Sequence, residues 1–197
     1  MTEYKSVLSK EEALTYPVDA FHGVIKVIDT EEKVRAVMDE VRQNDLLGFD
    51  TETRPCFSKG HHNKVALLQL SNDTTAWLFR INRIGLPDCV KDVLADSGII
   101  KVGNAVAQDI ATLNRVSPYA ASAFVDLQHY TEQFGIPDKA LARLSAIVLG
   151  FRLSKAQQLS NWEADTLSGP QQLYAATDAW VCWRMYRKLS AEAAQSK

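Results

Sequence analysis

Cysteine is scarce in this chain, and the three present, Cys56, Cys89 and Cys182, are an odd number at unrelated spacings. With no C-x-x-C pair and no histidines at zinc-finger spacing, they make neither a zinc module nor a disulfide framework; reduced thiols inside a cell fit best. No apolar run is long enough to span a membrane, and the polar, acid-bearing start MTEYKSVLSKEEALTY is neither a signal nor a transit peptide. An excess of positive charge is lacking as well. The net charge is −2, so the chain as a whole exerts no strong pull on polyanions. No G-x-x-x-x-G-K-[ST] loop occurs, which excludes a nucleotide-driven motor within these residues. Internal repeats and low-complexity linkers are missing, and 197 residues with 46% hydrophobic content bury one ordinary core.

What the chain does have is a spaced set of acids. Asp50 and Glu52 follow the apolar run Leu46, Leu47, Gly48 and Phe49, which reads as a buried strand, and side chains two apart on a strand share a face. Tyr174 and Asp178 are four apart in QLYAATDAWVCWRMY, a helical pattern without internal glycine or proline, so they share a face too. Asp109 comes early in AQDIATLNRV, an amphipathic helix after the strand Ile99 to Val102. Crowded carboxylates repel unless a cation sits among them, and all-oxygen ligands suit hard ions such as magnesium or manganese. Each motif alone has a commoner role: turn residue or cap for the first pair, a dipole-favoured acid for Asp109, a core tyrosine with a surface acid for the last. The joint pattern carries the argument.

The three segments FDTE, VGNAVAQD and YAATD resemble the three motifs of DEDD-superfamily exonucleases, in the DEDDy branch where a tyrosine precedes the last aspartate by four. Within it the chain is most similar to the Werner syndrome helicase exonuclease domains and, more distantly, to ribonuclease D. The likeness runs over about residues 24 to 189 and includes VALLQLS and LSNWEADTLSGPQQLYAATDAW. One departure is Ala105, where many proofreading exonucleases place an asparagine four before the aspartate; Asn104 sits one place earlier, and the Werner-type branch shares this feature.

The resemblance implies a ribonuclease H-like α/β fold and a 3′ to 5′ exonuclease that releases nucleoside 5′-monophosphates. It implies two divalent ions, Mg2+ or Mn2+, held by Asp50, Glu52 and Asp178 and, through water, by Asp109, with Tyr174 orienting a water. Thr51, Arg54, Lys59 and Lys64 are expected to contact nucleic acid, the last three from the acid-free stretch Thr53 to Asn72. His61 and His62, adjacent in a glycine-containing loop, are not expected to chelate a metal, and no zinc is expected. DNA 3′ ends are the expected substrate, with a separate helicase as a strand-separating partner. A ribonuclease D-like exoribonuclease, a non-catalytic nucleic-acid-binding module and an endonuclease are the alternatives. The expected location is the bacterial cytoplasm or the eukaryotic nucleus, not the exterior.

The pattern predicts an extended arm over residues 1–20, the domain over 21–191 and a tail over 192–197. Strands are predicted at Gly23 to Ile28, Leu46 to Glu52, Val65 to Ser71, Thr75 to Ile81 and Ile99 to Gly103. They form a mixed sheet with helices on both faces. A tight turn is expected at Asn72, Asp73 and Thr74. From Phe124 onward the pattern reads as helical, with Asp126 as a cap and Trp162, Trp180 and Trp183 in the core.

Overall fold

Apolar runs form the central strands, and Ser9, Thr30 and Asp126 cap helices with their side chains. The computed structural model describes residues 3–55 and 64–195. In chain order the elements are α1 (Lys10–Leu14), β1 (Val24–Ile28), α2 (Glu31–Arg42), β2 (Leu46–Thr53), β3 (Val65–Ser71), β4 (Thr75–Phe79), α3 (Ile81–Ile84) and α4 (Asp88–Ala95). After these come β5 (Ile100–Gly103), α5 (Val106–Val116), β6 (Phe124–Asp126), α6 (Leu127–Tyr130), a 3-10 turn, α7 (Leu141–Leu149) and α8 (Gly169–Gln195). Thr30 caps α2 by accepting from the Lys33 amide.

The sheet order is β1-β4-β3-β2-β5-β6. β2, β5 and β6 pair in parallel, and β1 pairs in parallel with β4. β3 runs antiparallel to both its neighbours. Asn72 shapes the β3–β4 turn, its side-chain oxygen accepting from the Thr74 and Thr75 amides. One face buries Leu47, Phe49, Leu68, Leu70 and Trp77 against α2, α4 and α5. The other buries Leu46, Ala76 and Val102 against α7 and α8. The mixed α/β sheet with helices on both faces is therefore present.

α8 lies across β2, β3, β4 and β5. Its closest approach is at Gly48, where a Cβ would lie 1.9 Å from the Ala179 carbonyl oxygen. Any side chain there would lift the helix off the strand. This contact sets Asp178 beside the end of β2.

Three local expectations change. Residues 1–20 are not simply extended: Ser9 and Glu12 form a capping box on α1, Leu8 is buried, and Val18 bridges to Arg152. The apolar Leu8 gives that segment something to bury, which its polar composition hid. Phe124–Asp126 is a strand, since three residues beside β5 show no period of their own. α8 runs on to Gln195, into the expected tail.

Candidate active site

Asp50 and Glu52 leave β2 on the face that packs on α8, the face on which Gly48 meets Ala179. α8 brings Asp178 to them, and one oxygen from each of Asp50, Glu52 and Asp178 lies within 4.8 Å of the others. Tyr174, one turn earlier on α8, lines the same cavity, its ring centroid 5.9 Å from that of Trp162. Trp162 and Trp180 are buried, as expected; Trp183 is partly buried.

Asp109 arrives from the other side. It sits in the first turn of α5, and its carboxylate accepts from the Thr51 hydroxyl at 2.5 Å. Thr51 points to the opposite face of β2 from its two acidic neighbours. Asp109 thus stays outside the trio, although its charge acts on both Asp50 and Glu52. The residue that opens α5, Ala105, has φ 61° and ψ 39°, a left-handed conformation that costs an alanine energy. Its amide donates to Asp126, which also caps α6. Capping is the role the sequence suggested for Asp126.

Burial and mutual repulsion govern the electrostatics. Burial pushes the Glu52 carboxyl up to about 9, helped by Asp178 and Asp109. Burial lifts Asp178 to about 7, opposed by the Tyr174 hydroxyl. Asp109 rises to about 6, again through burial, with Thr51 opposing. Asp50 is driven well above the usual carboxylate range by burial and then by Asp178, Glu52 and Asp109. Tyr174 is pushed upward by burial and the carboxylates, so its hydroxyl keeps its proton and donates. Three converging carboxylates that resist ionisation without a counter-charge are a donor set suited to a hard divalent cation.

The cavity over the trio also takes in Asn104, Leu153, Lys155 and Gln158. Of the basic stretch expected to contact nucleic acid, Arg54 pairs with Glu163 at 3.3 Å. Lys64 is exposed and lines a different cavity, together with Ile81 and Glu163. Lys59, His61 and His62 lie outside the described residues.

Lys155 and Gln158 were missed because they lie in the loop between α7 and α8, where no periodicity points to the sheet. Gln69 was missed as well. It is fully buried, pairs with Asp50 across the β2–β3 ladder, and neither end of its amide has a hydrogen-bond partner among the described residues. A glutamine in the apolar run VALLQLS was the available signal.

A family model described as 3′-5′ exonuclease matches residues 25–194. The chain belongs to this 3′-5′ exonuclease family. Over 205 residues it is 32% identical to the 3′-5′ exonuclease of Arabidopsis thaliana, covering 95% of this chain and 71% of that protein. It is 32% identical over 151 residues to the bifunctional 3′-5′ exonuclease/ATP-dependent helicase WRN of Mus musculus, covering 74% of this chain and 11% of the mouse protein. With the Drosophila melanogaster exonuclease 3′-5′ domain-containing protein 2 it shares 35% identity over 148 residues, 25% of that protein's length. The chain therefore corresponds to a minor part of some relatives.

The fold agrees. The Aedes aegypti Nibbler EXO domain superposes with a TM-score of 0.76 at 24% identity, over 91% of this chain and 92% of that one. Escherichia coli RNase D superposes with a TM-score of 0.77 at 23% identity, over 87% of this chain and 46% of that one. Exonuclease domains of this family use divalent metals, and the Asp50, Glu52 and Asp178 trio supplies a matching donor set. Among the described residues no helix is long and apolar enough to cross a membrane.

Proposed function

We propose that this exonuclease domain removes nucleotides from the 3′ ends of DNA, releasing nucleoside 5′-monophosphates with two divalent ions, Mg2+ or Mn2+. The carrying observation is the convergence of Asp50, Glu52 and Asp178 beneath Tyr174. In this reading the trio holds the ions directly and Asp109, steadied by Thr51, does so through water. When bound, the ions supply Lewis acidity that activates water and offsets charge on the phosphoryl group and the leaving 3′ oxygen. Glu52 and Asp178 would hold the ions as carboxylates, since burial disfavours their ionised forms without a counter-charge. Tyr174 keeps its proton and is a donor, not a base. Its task is to orient the attacking water, which the geometry beside Asp178 suits.

DNA as substrate rests on the Werner-type likeness, which includes residues 159–180. Ribonuclease D, described as an exoribonuclease involved in structured RNA processing, shares the fold, so RNA is the competing reading. The test is hydrolysis of 3′-labelled and 5′-labelled DNA and RNA, linear and circular, with each ion. Stepwise loss from the 3′ end of linear DNA is expected. Faster hydrolysis of RNA would replace the substrate assignment, and cutting of circular strands would overturn the exonuclease mechanism. Strand separation by a separate helicase, and a place in the bacterial cytoplasm or eukaryotic nucleus, complete the proposal.

A further inference from the structure

Positive charge is distributed unevenly over this nearly neutral molecule. Many of its cations are matched to carboxylates, among them Lys26 to Glu40, Arg42 to Asp92, Arg54 to Glu163, Arg83 to Asp165 and Arg143 to Asp138. Lys101 and Lys188 donate to backbone carbonyls instead. Lys10, Arg152 and Lys155 have no side-chain hydrogen bond or ion pair among the described residues, and these three line one groove of about 340 Å3. None of the groove's lining residues is acidic, and Leu14 and Leu153 form an apolar floor. The groove shares Leu153 and Lys155 with the cavity over the acidic trio, so it opens from the reaction site.

One wall of this groove, Lys10, Ala13 and Leu14, comes from outside the family match, which begins at residue 25. Lys10 and Leu14 belong to α1, and α1 is held in place. Leu8 is buried beside it, the Arg152 amide donates to the Pro17 carbonyl at 2.8 Å, and the Asp19 amide donates to the Arg152 carbonyl at 3.3 Å. The cations therefore sit on a tethered frame.

We propose that this groove binds the phosphodiester backbone of the strand being degraded, on the 5′ side of the scissile bond. Lys10, Arg152 and Lys155 are the phosphate contacts, and Leu14 and Leu153 lie beneath the sugars. Unpaired cations over an apolar floor match alternating phosphate and sugar, and backbone contacts grip without reading sequence. The inference rests on the exonuclease reading of the adjoining acids and extends it to the strand's path.

The test uses full-length Lys10→Glu and Arg152→Gln, with Lys10→Arg as the charge-preserving control. Substrates are a long oligothymidylate, a dinucleotide, and the p-nitrophenyl ester of thymidine 5′-monophosphate, which reaches only the acid cavity. Lys10→Glu is expected to raise KM on the long strand roughly three- to tenfold and to flatten the salt dependence of binding by about 0.7 in log–log slope per lost phosphate contact. The mononucleotide ester should be hydrolysed at the parental rate, and Lys10→Arg should restore the long strand's KM. Fluorescence anisotropy of the long strand in chelator reads the groove without catalysis. If the parent binds the strand through Lys10 yet cleaves nothing, the groove stands and the exonuclease reading fails. An unchanged KM and salt slope in Lys10→Glu, or an equal loss on the mononucleotide ester, overturns the proposal.

Discussion

Replacing Asp178 by asparagine separates what the acidic trio does for catalysis from what it does to stability. Asp178 is buried, and burial lifts its carboxyl to about 7, against about 3.9 in an unfolded chain. A raised carboxyl means that the folded state holds its proton longer than the unfolded state does. The parent's metal-free stability therefore falls as pH climbs from about 4 to about 7, and the loss is complete above that. Linkage puts the full cost at ~4 kcal/mol, and water reaching the open cavity screens part of it, so Asp178→Asn should gain ~1–3 kcal/mol at pH 8. For a chain of this size that raises Tm by about 3–10 °C. The assay is thermal unfolding in chelator at pH 4 and pH 8, repeated with saturating Mn2+. The gain should be small at pH 4 and full at pH 8. With Mn2+ the parent should be stabilised more than the variant, because in the proposed site the ion would bind the folded state through the group removed. A metal-free Tm at pH 8 that is unchanged or lower in the variant, or a gain equal at both pH values, would refute the reasoning.

Tyr174→Phe removes a hydroxyl proposed to aim a water, so turnover should fall about 10- to 100-fold with KM little changed, less than for Asp178→Asn; parental turnover would make the tyrosine structural. Gly48→Ala places a methyl 1.9 Å from the Ala179 carbonyl oxygen, so denaturant unfolding should show a loss of ~3 kcal/mol and activity should drop with it. An alanine variant as stable and active as the parent would contradict the described approach of α8. Lys101 is fully buried against the Asp96 carbonyl, and burial lowers its ammonium to about 8. Its unfolded value lies near 10.4, so this residue should make stability rise between about pH 8 and 10. Lys101→Met should abolish that component of the pH profile, and a profile identical to the parent's would show that Lys101 does not titrate there.

Pairing two residues apart on a strand and four apart on a helix is local geometry, so the shared faces of Asp50 with Glu52 and of Tyr174 with Asp178 are legible in the sequence alone. The strands β1 to β5, the turn at Asn72 and the helices on both faces follow from the same short-range patterns. Sequence by itself also showed that the candidate site offers oxygen donors, since the convergent motifs supply only carboxylates and a phenol. Only the tertiary structure decided which acids meet. Asp109 proved to be held by Thr51 outside the trio, because α5 approaches β2 from the opposite face to α8. The sheet order, the strand at Phe124–Asp126 and the buried Gln69 across from Asp50 depend on pairing between distant segments, which no single window encodes. The same is true of the cations. Arg54 lies nearest the D-x-E motif in sequence but is matched by Glu163, whereas Lys10 and Arg152, 142 positions apart, line one groove beside the acids. Charge along a chain adds up locally, but a binding surface depends on which charges folding leaves unpaired and side by side.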